Sequence, residues 1–118
     1  MSYFKKEEFT CKCGCGFNCI SHELVAKLEA ARMGVGRVII INSGCRCRAH
    51  NLAVGGSEMS SHMFGKAVDI RTPADDDEYR WLLVTALIFV GIKRIGIRKD
   101  FIHVDVSPTK NNNRMWIY

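Results

Sequence analysis

The sequence predicts a single compact α+β domain, and three observations lead to that class. The 118 residues contain no linker, repeat or low-complexity tract, and a chain of that length can bury one core without depending on staples. Two long segments carry helix start and stop signals. Between and after them lie short runs with strand character.

In chain order, Ser21 is placed to cap a helix running through Arg32, with Glu23 in its first turn. Leu24, Val25 and Leu28 form its apolar stripe, and Gly34 and Gly36 end it. Val38 to Ile41 is an unbroken β-branched run that reads as a buried strand. Residues 42–61 are rich in Gly, Ser, Asn and Arg and read as a long, partly irregular loop, a feature that is commonly functional. Gly65 allows a turn that brings His62 over a strand from Ala67 to Ile70, from which Asp69 emerges. Asp75, Asp76 and Asp77 open a second helix and Gly91 closes it. Their position at a helix start favours capping and dipole stabilisation over a calcium or magnesium cluster. The apolar run from Trp81 to Ile92 is too short to span a bilayer and reads as a buried helix. Ile95 to Ile97 and Phe101 to Val106 form a hairpin turned around Lys99 and Asp100.

Within that frame one set of residues carries chemistry. His62, Asp69 and His103 offer two imidazoles and a carboxylate, a donor set that suits zinc with its fourth position open. A nearby carboxylate that does not bind the metal would then serve as base. An isolated histidine on a strand is ordinarily a packed or solvated side chain. Here alternation puts Phe101, His103 and Asp105 on one face of a strand and Ile102, Val104 and Val106 on the other. A histidine and an aspartate sharing a strand face need a polar purpose.

The pattern Ser60-x-His62-x-x-Gly65-x-Ala67-x-Asp69, followed by Asp100-x-x-His103, resembles the zinc D-Ala-D-Ala carboxypeptidases and their phage endolysin relatives. The wider group includes lysostaphin-type peptidases and the hedgehog signalling domain. Ser43-Gly44-Cys45-Arg46, His50-Asn51 and Val54-Gly55-Gly56 resemble a further family segment, with Cys45 where tyrosine is usual. Trp116 to Tyr118 is similar to the closing segment of small phage members. The resemblance implies a small antiparallel sheet carrying the zinc site, with two main helices packed on it, in one zinc peptidase domain over residues 1–118. It implies zinc on His62, Asp69 and His103, Asp100 as general base, and Arg46 as the group that binds a substrate carbonyl or carboxylate. Asp105 is then read as the partner that orients an imidazole, in preference to a second base. His50 is a candidate for assisting substrate or leaving group, Ser60 for orienting the site, and His22 is a surface residue.

Six cysteines remain outside this scheme. Cys11, Cys13, Cys15 and Cys19 crowd the segment 1–20, which is expected to pack on the domain, and Cys45 and Cys47 flank Arg46. Clustering of this kind suits a second, structural metal site, disulfides, or free packed thiols, and the spacing lacks the paired C-x-x-C knuckles of an ordinary zinc ribbon. If the two groups meet, they tie the N-terminal segment to the arginine loop.

The formal charge is +5. It is scattered over Lys5, Lys6, Arg46, Arg48, Arg71, Lys93, Arg94, Arg98 and Lys99 and forms no long run. This suits the anionic polymers of a bacterial wall as well as an ordinary solvated surface. The start of the chain shows no apolar signal-peptide core. The expectation is therefore a monomer made in the cytoplasm without a signal peptide. It inserts into no membrane, binds no nucleic acid, and acts on peptidoglycan stem peptides if a phage lysis system releases it. Two other classes compete with this reading: a non-catalytic zinc-containing binding module of the same fold, and a basic nucleic-acid-binding zinc domain built around the cysteines. The second leaves His62, Asp69 and His103 without a role.

Overall fold

The computed structural model describes residues 2–118, and Met1 of the expected domain lies outside them. Helix α1 spans His22–Val35, strand β1 Ile41–Ser43, helix α2 Arg48–Ala53 and strand β2 Ala67–Arg71. Helix α3 spans Asp77–Phe89, and strands β3 to β5 are Arg94–Ile97, Phe101–Asp105 and Arg114–Ile117. Short 3-10 turns occupy Lys6–Phe9 and Ser61–Phe64.

The five strands form one mixed sheet in the order β1-β2-β4-β3-β5. The first four are antiparallel to their neighbours, and β5 adds in parallel beside β3. This α+β architecture agrees with the class read from the sequence, and it gains a parallel edge strand.

Strand alternation divides the sheet into two faces. One face carries Val68, Ile70, Ile95, Ile102 and Val104, all buried. Against it pack Leu24, Leu28, Ala31 and Val35 of α1 and Tyr79, Leu83 and Leu87 of α3, spaced as single helical stripes. Phe4, Phe9, Ile39, Ile41 and Ile92 join this core. On the other face a row of residues in register crosses all five strands: Ser43, Asp69, His103, Gly96 and Trp116.

Local signals explain most boundaries. Ser21 Oγ accepts the Leu24 N–H at 3.3 Å, and α1 continues three residues past Arg32 to the left-handed cap at Gly36. Asp76 alone of the three aspartates caps α3, accepting from the Tyr79 N–H at 2.9 Å while it pairs with Arg37. Helix α3 is buried on one face only, since Trp81, Ile88 and Phe89 are exposed. The run Val38 to Ile40 is not strand. Val38 and Ile40 face solvent, the Val38 carbonyl accepts from the Tyr79 hydroxyl, and ladder pairing begins at Ile41. The expected loop 42–61 contains the short helix α2, capped by Cys47 Sγ. Among the described residues no helix is long and apolar enough to cross a membrane.

Candidate metal centre

Asp69 and His103 are direct cross-strand partners of β2 and β4, so the sheet itself sets their separation. His62 reaches them from the 3-10 turn that precedes β2. Ser60 caps that turn, its hydroxyl accepting the His62 N–H at 3.3 Å, and Gly65 closes it in the left-handed conformation at φ 68°. The result is a compact group: His62 Nε2 lies 3.3 Å and His103 Nδ1 2.9 Å from Asp69 Oδ1.

The remaining ring nitrogens are also engaged. His62 Nδ1 lies 2.7 Å from the Gly44 carbonyl, and His103 Nε2 lies 3.0 Å from Asp105 Oδ2. A carbonyl only accepts, so the His62 Nδ1–H donates to Gly44 and Nε2 is the atom turned toward Asp69. Asp105 accepts from the His103 Nε2–H, and Nδ1 is the atom turned toward the same carboxylate. With the proton between them removed, two ring nitrogens and a carboxylate converge as a cation would need. Zinc with nitrogen and oxygen ligands at about 2.0–2.2 Å spaces them by roughly 3.4 Å in a tetrahedron. The donor set and its outer partners therefore fit zinc.

Charge in the site follows from these contacts. Burial pushes the Asp69 carboxyl up, but the hydrogen bonds and charges of His103 and His62 outweigh it and hold it well below the usual carboxylate range. Burial likewise acts upward on Asp105, and bonds from His103, the Ser107 N–H and Ser61 bring it down to about 2. For His103 burial favours the neutral ring, yet Asp105 and Asp69 prevail and raise its pKa.

Arg46 borders the group. Its guanidinium lies 3.6 Å from Asp69 Oδ2, donates to Asn51 Oδ1 at 2.9 Å and reaches Ser43 Oγ at 3.4 Å. Only 12 % of its side chain is exposed, so the fork is held in place. Its backbone N–H donates to the His62 carbonyl at 3.0 Å, joining the arginine loop to the histidine turn.

The other expected site residues are placed differently. Asp100 sits on the β3–β4 turn, where its carbonyl accepts the Thr72 N–H, while its carboxylate is 68 % exposed and paired with Arg98 at 3.4 Å. The structure brings it into no contact with the three ligands. His50 lies on α2 and makes no side-chain hydrogen bond to the group. His22 is exposed. Cys45 is buried, which pushes its thiol up to about 11, so it fills the tyrosine position as a neutral packing side chain.

Several neighbours had no role assigned at the site from the sequence, although Trp116 to Tyr118 resembled a family segment and Phe101 shared the face of His103. Arg94 Nε approaches Asp105 Oδ1 at 3.7 Å, and Lys110 Nζ donates to Ser61 Oγ at 2.9 Å. Trp116 lies beside His103, with ring centres 5.6 Å apart, and under the Arg94 guanidinium. Tyr118 and Phe101 extend this aromatic wall, their ring centres 5.3 Å apart. Gly96 makes the wall possible, because a Cβ there would stand 2.6 Å from Trp116 Nε1. A glycine inside a strand opposite His103 was the available signal.

Two imidazoles and a carboxylate, flanked by a held arginine, form a group that could hold a metal ion. The chain belongs to the Peptidase M15 family, which it matches over residues 2–105, from the N-terminal segment to the end of β4. Comparison with curated proteins gave no match.

Proposed function

We propose that the protein is a zinc peptidase that hydrolyses peptide bonds in peptidoglycan stem peptides, as a D-Ala-D-Ala carboxypeptidase or a cell-wall endopeptidase of phage or prophage origin. In this reading residues 1–118 act as one monomeric domain with the cysteine-rich segment 1–20 packed on it. It is made in the cytoplasm and reaches the wall when a phage lysis system releases it.

The observation that carries the reading is Arg46 beside Asp69. A buried guanidinium tied by Asn51 and Ser43 offers a fork to a carboxylate or a polarised carbonyl through parallel hydrogen bonds. Stem peptides present both groups.

His62, Asp69 and His103 would hold the zinc. When bound, zinc supplies Lewis acidity toward the peptide carbonyl and the attacking water. Asp105 keeps His103 in the tautomer that binds metal. Arg46 shares the negative charge that develops on the carbonyl oxygen. Asp100 is the base. Asp105 has both oxygens committed to His103 and the Ser107 N–H, and the Asp100-x-x-His103 resemblance assigns the proton acceptor to Asp100. For that it must turn from its exposed pairing with Arg98 toward the substrate, then pass the proton to the leaving amine. Ser60 holds the His62 turn, and His50 remains a candidate contact for the leaving group.

The test compares purified stem peptides containing D-amino acids with unstructured L-peptides at equal enzyme and zinc, with the product masses identifying the bond cut. Stem peptides should be hydrolysed and L-peptides should not. Arg46→Lys should reduce turnover on stems, because a point charge cannot reproduce the fork. Equal cleavage of both substrates, or unchanged kinetics in Arg46→Lys, would overturn the assignment.

A further inference from the structure

A second group of ligand-type side chains lies away from the sheet. Cys11, Cys13 and Cys15 share one turn after the first 3-10 helix, and Cys47 caps α2, so the segment 1–20 and the arginine loop do meet. The four sulfurs all lie within 4.8 Å of one another. Cys13 Sγ stands 3.4 Å from Cys11 Sγ and 3.7 Å from Cys47 Sγ. A tetrahedron with metal–sulfur distances of about 2.3 Å has edges of roughly 3.8 Å. Two of the separations match that edge, and all four sulfurs are close enough to share one ion.

The backbone around them suits that charge. Cys11 Sγ accepts the Cys47 N–H, Cys15 Sγ the Phe17 N–H and Cys47 Sγ the His50 N–H, each at 3.4 Å. Gly14 and Gly16, at φ 87° and 84°, give the turn the left-handed steps that fold Cys15 back toward its partners. Packed thiols do not describe the group, because Cys13 and Cys15 are exposed. All four cysteines are free, and Cys13 lies near two sulfurs at once, at 3.4 and 3.7 Å, as a shared ion requires and a single S–S bond does not. Cys19 and Cys45 stand apart as a pair of their own, 3.8 Å from each other.

We propose that Cys11, Cys13, Cys15 and Cys47 hold a second zinc ion in a closed tetrathiolate site that clamps the N-terminal turn onto the loop carrying Arg46. Four protein ligands leave no open position, which makes the site structural. The clamp acts beside the Cys45 N–H to Phe9 carbonyl hydrogen bond of 2.8 Å, and Cys47 directly follows Arg46. The site does not depend on the hydrolytic reading of the other centre.

The experiment measures metal content and cobalt-exchange spectra on the full chain purified without chelator. Wild type should carry about two zinc ions per chain and His62→Ala about one, since a preformed ligand set binds metal independently of its neighbour. After cobalt exchange, His62→Ala should keep intense thiolate-to-cobalt charge-transfer bands. Cys47→Ser should lose them, and because serine is itself a good helix cap, α2 should survive the change. Zinc-free His62→Ala, iron in place of zinc, charge-transfer bands surviving in Cys47→Ser, or a mass showing the four cysteines joined as disulfides would each overturn the proposal. Should Cys47→Ser fail to fold, the cobalt spectrum of His62→Ala decides: thiolate bands support the site, and their absence removes it. Zinc retained on the cysteines without any turnover would count against the peptidase reading alone.

Discussion

Asp69 and His103 face each other across two strands in register, whereas Cys11, Cys13 and Cys15 sit on one turn, the last two exposed, and meet Cys47 at the cap of α2. The first group inherits its geometry from backbone ladders and from outer partners, Gly44 and Asp105, which aim each imidazole. The second has no ladder beneath it and is ordered by N–H to sulfur contacts and by turn hydrogen bonds such as Cys11 N–H to the Phe17 carbonyl. The contrast separates two uses of a ligand cluster. A site that must leave room for a substrate needs a frame that holds without the metal. A site that only clamps chain segments can take its order from the ion it binds.

The strongest way to test this contrast is to remove a ligand from the sheet-borne group. His62→Ala or Asp69→Ala should reduce turnover to background while the fold survives, because the hydrophobic core lies on the opposite face of the sheet. Stem-peptide hydrolysis near the wild-type rate in either variant would end the division of labour. Next in size, Asp100→Asn should leave zinc content unchanged and lower turnover by about a hundredfold or more, the usual scale for losing a general base. Unaltered turnover in that variant would hand the role to another acceptor.

The two regions also differed in how far they could be read in advance. The donor types and the motif resemblance named His62, Asp69 and His103, whose ligand atoms the structure gathers within 4.8 Å. The alternation in Phe101 to Val106 put Asp105 on His103's face, where the two are bonded. Helices α1 and α3 announced themselves through caps and stripes. What escaped was whatever tertiary context decides. The Val38 to Ile40 run has strand composition, but its edge position and the Tyr79 contact leave it outside the ladder. Helix α2 has no buried apolar stripe, with Leu52 82 % exposed, and owes its start to Cys47. Strand β5 pairs in parallel with β3, a contact no local pattern encodes. The outward turn of Asp100 is likewise a matter of its partner, Arg98. The cysteine spacing left metal, disulfide and free thiol open, because only the fold brings Cys47 to the turn.

Asp105 sharpens the contrast at intermediate size. Asp105→Asn removes the charge that holds the His103 proton on Nε2, and zinc affinity should fall about 10- to 100-fold, as for other outer partners. Turnover at saturating zinc should stay close to wild type, and a collapse of that rate would make Asp105 the base. The pH dependence carries a sign that can be worked out. In the metal-free protein, raised His103 contributes stability below its ordinary value of 6.5, and this is lost as pH rises through the folded value. Depressed Asp105 contributes stability above its ordinary 3.8, lost as pH falls toward about 2. Zinc competes with the His103 proton, so occupancy should drop on acidification at a higher pH than an unperturbed histidine would give. In Asp105→Asn, with zinc raised in proportion to the weaker affinity, that drop should move to lower pH. Zinc occupancy measured against pH in both proteins checks the direction, and a midpoint that does not move would sever Asp105 from His103.

The smallest expected effect lies at the edge of the sheet-borne site. Gly96 has no conformational need to be glycine, since its φ is not positive. Its role is space: a Cβ would stand 2.6 Å from Trp116 Nε1 and 2.8 Å from Tyr118 Cε2. Gly96→Ala should therefore push both rings outward at a cost of about 1–3 kcal/mol, the usual range for an overpacked contact. Because Trp116 lies against His103 and under Arg94, the displacement should alter the wall beside the metal without touching a ligand. Zinc content should stay at the wild-type level, KM on stem peptides should rise more than kcat changes, and indole fluorescence should shift. The only other tryptophan, Trp81, is 69 % exposed on α3, so the shift reports on Trp116. Unchanged fluorescence and unchanged KM would show that the aromatic wall is packing rather than part of the site, and the sheet-borne centre would then end at His103.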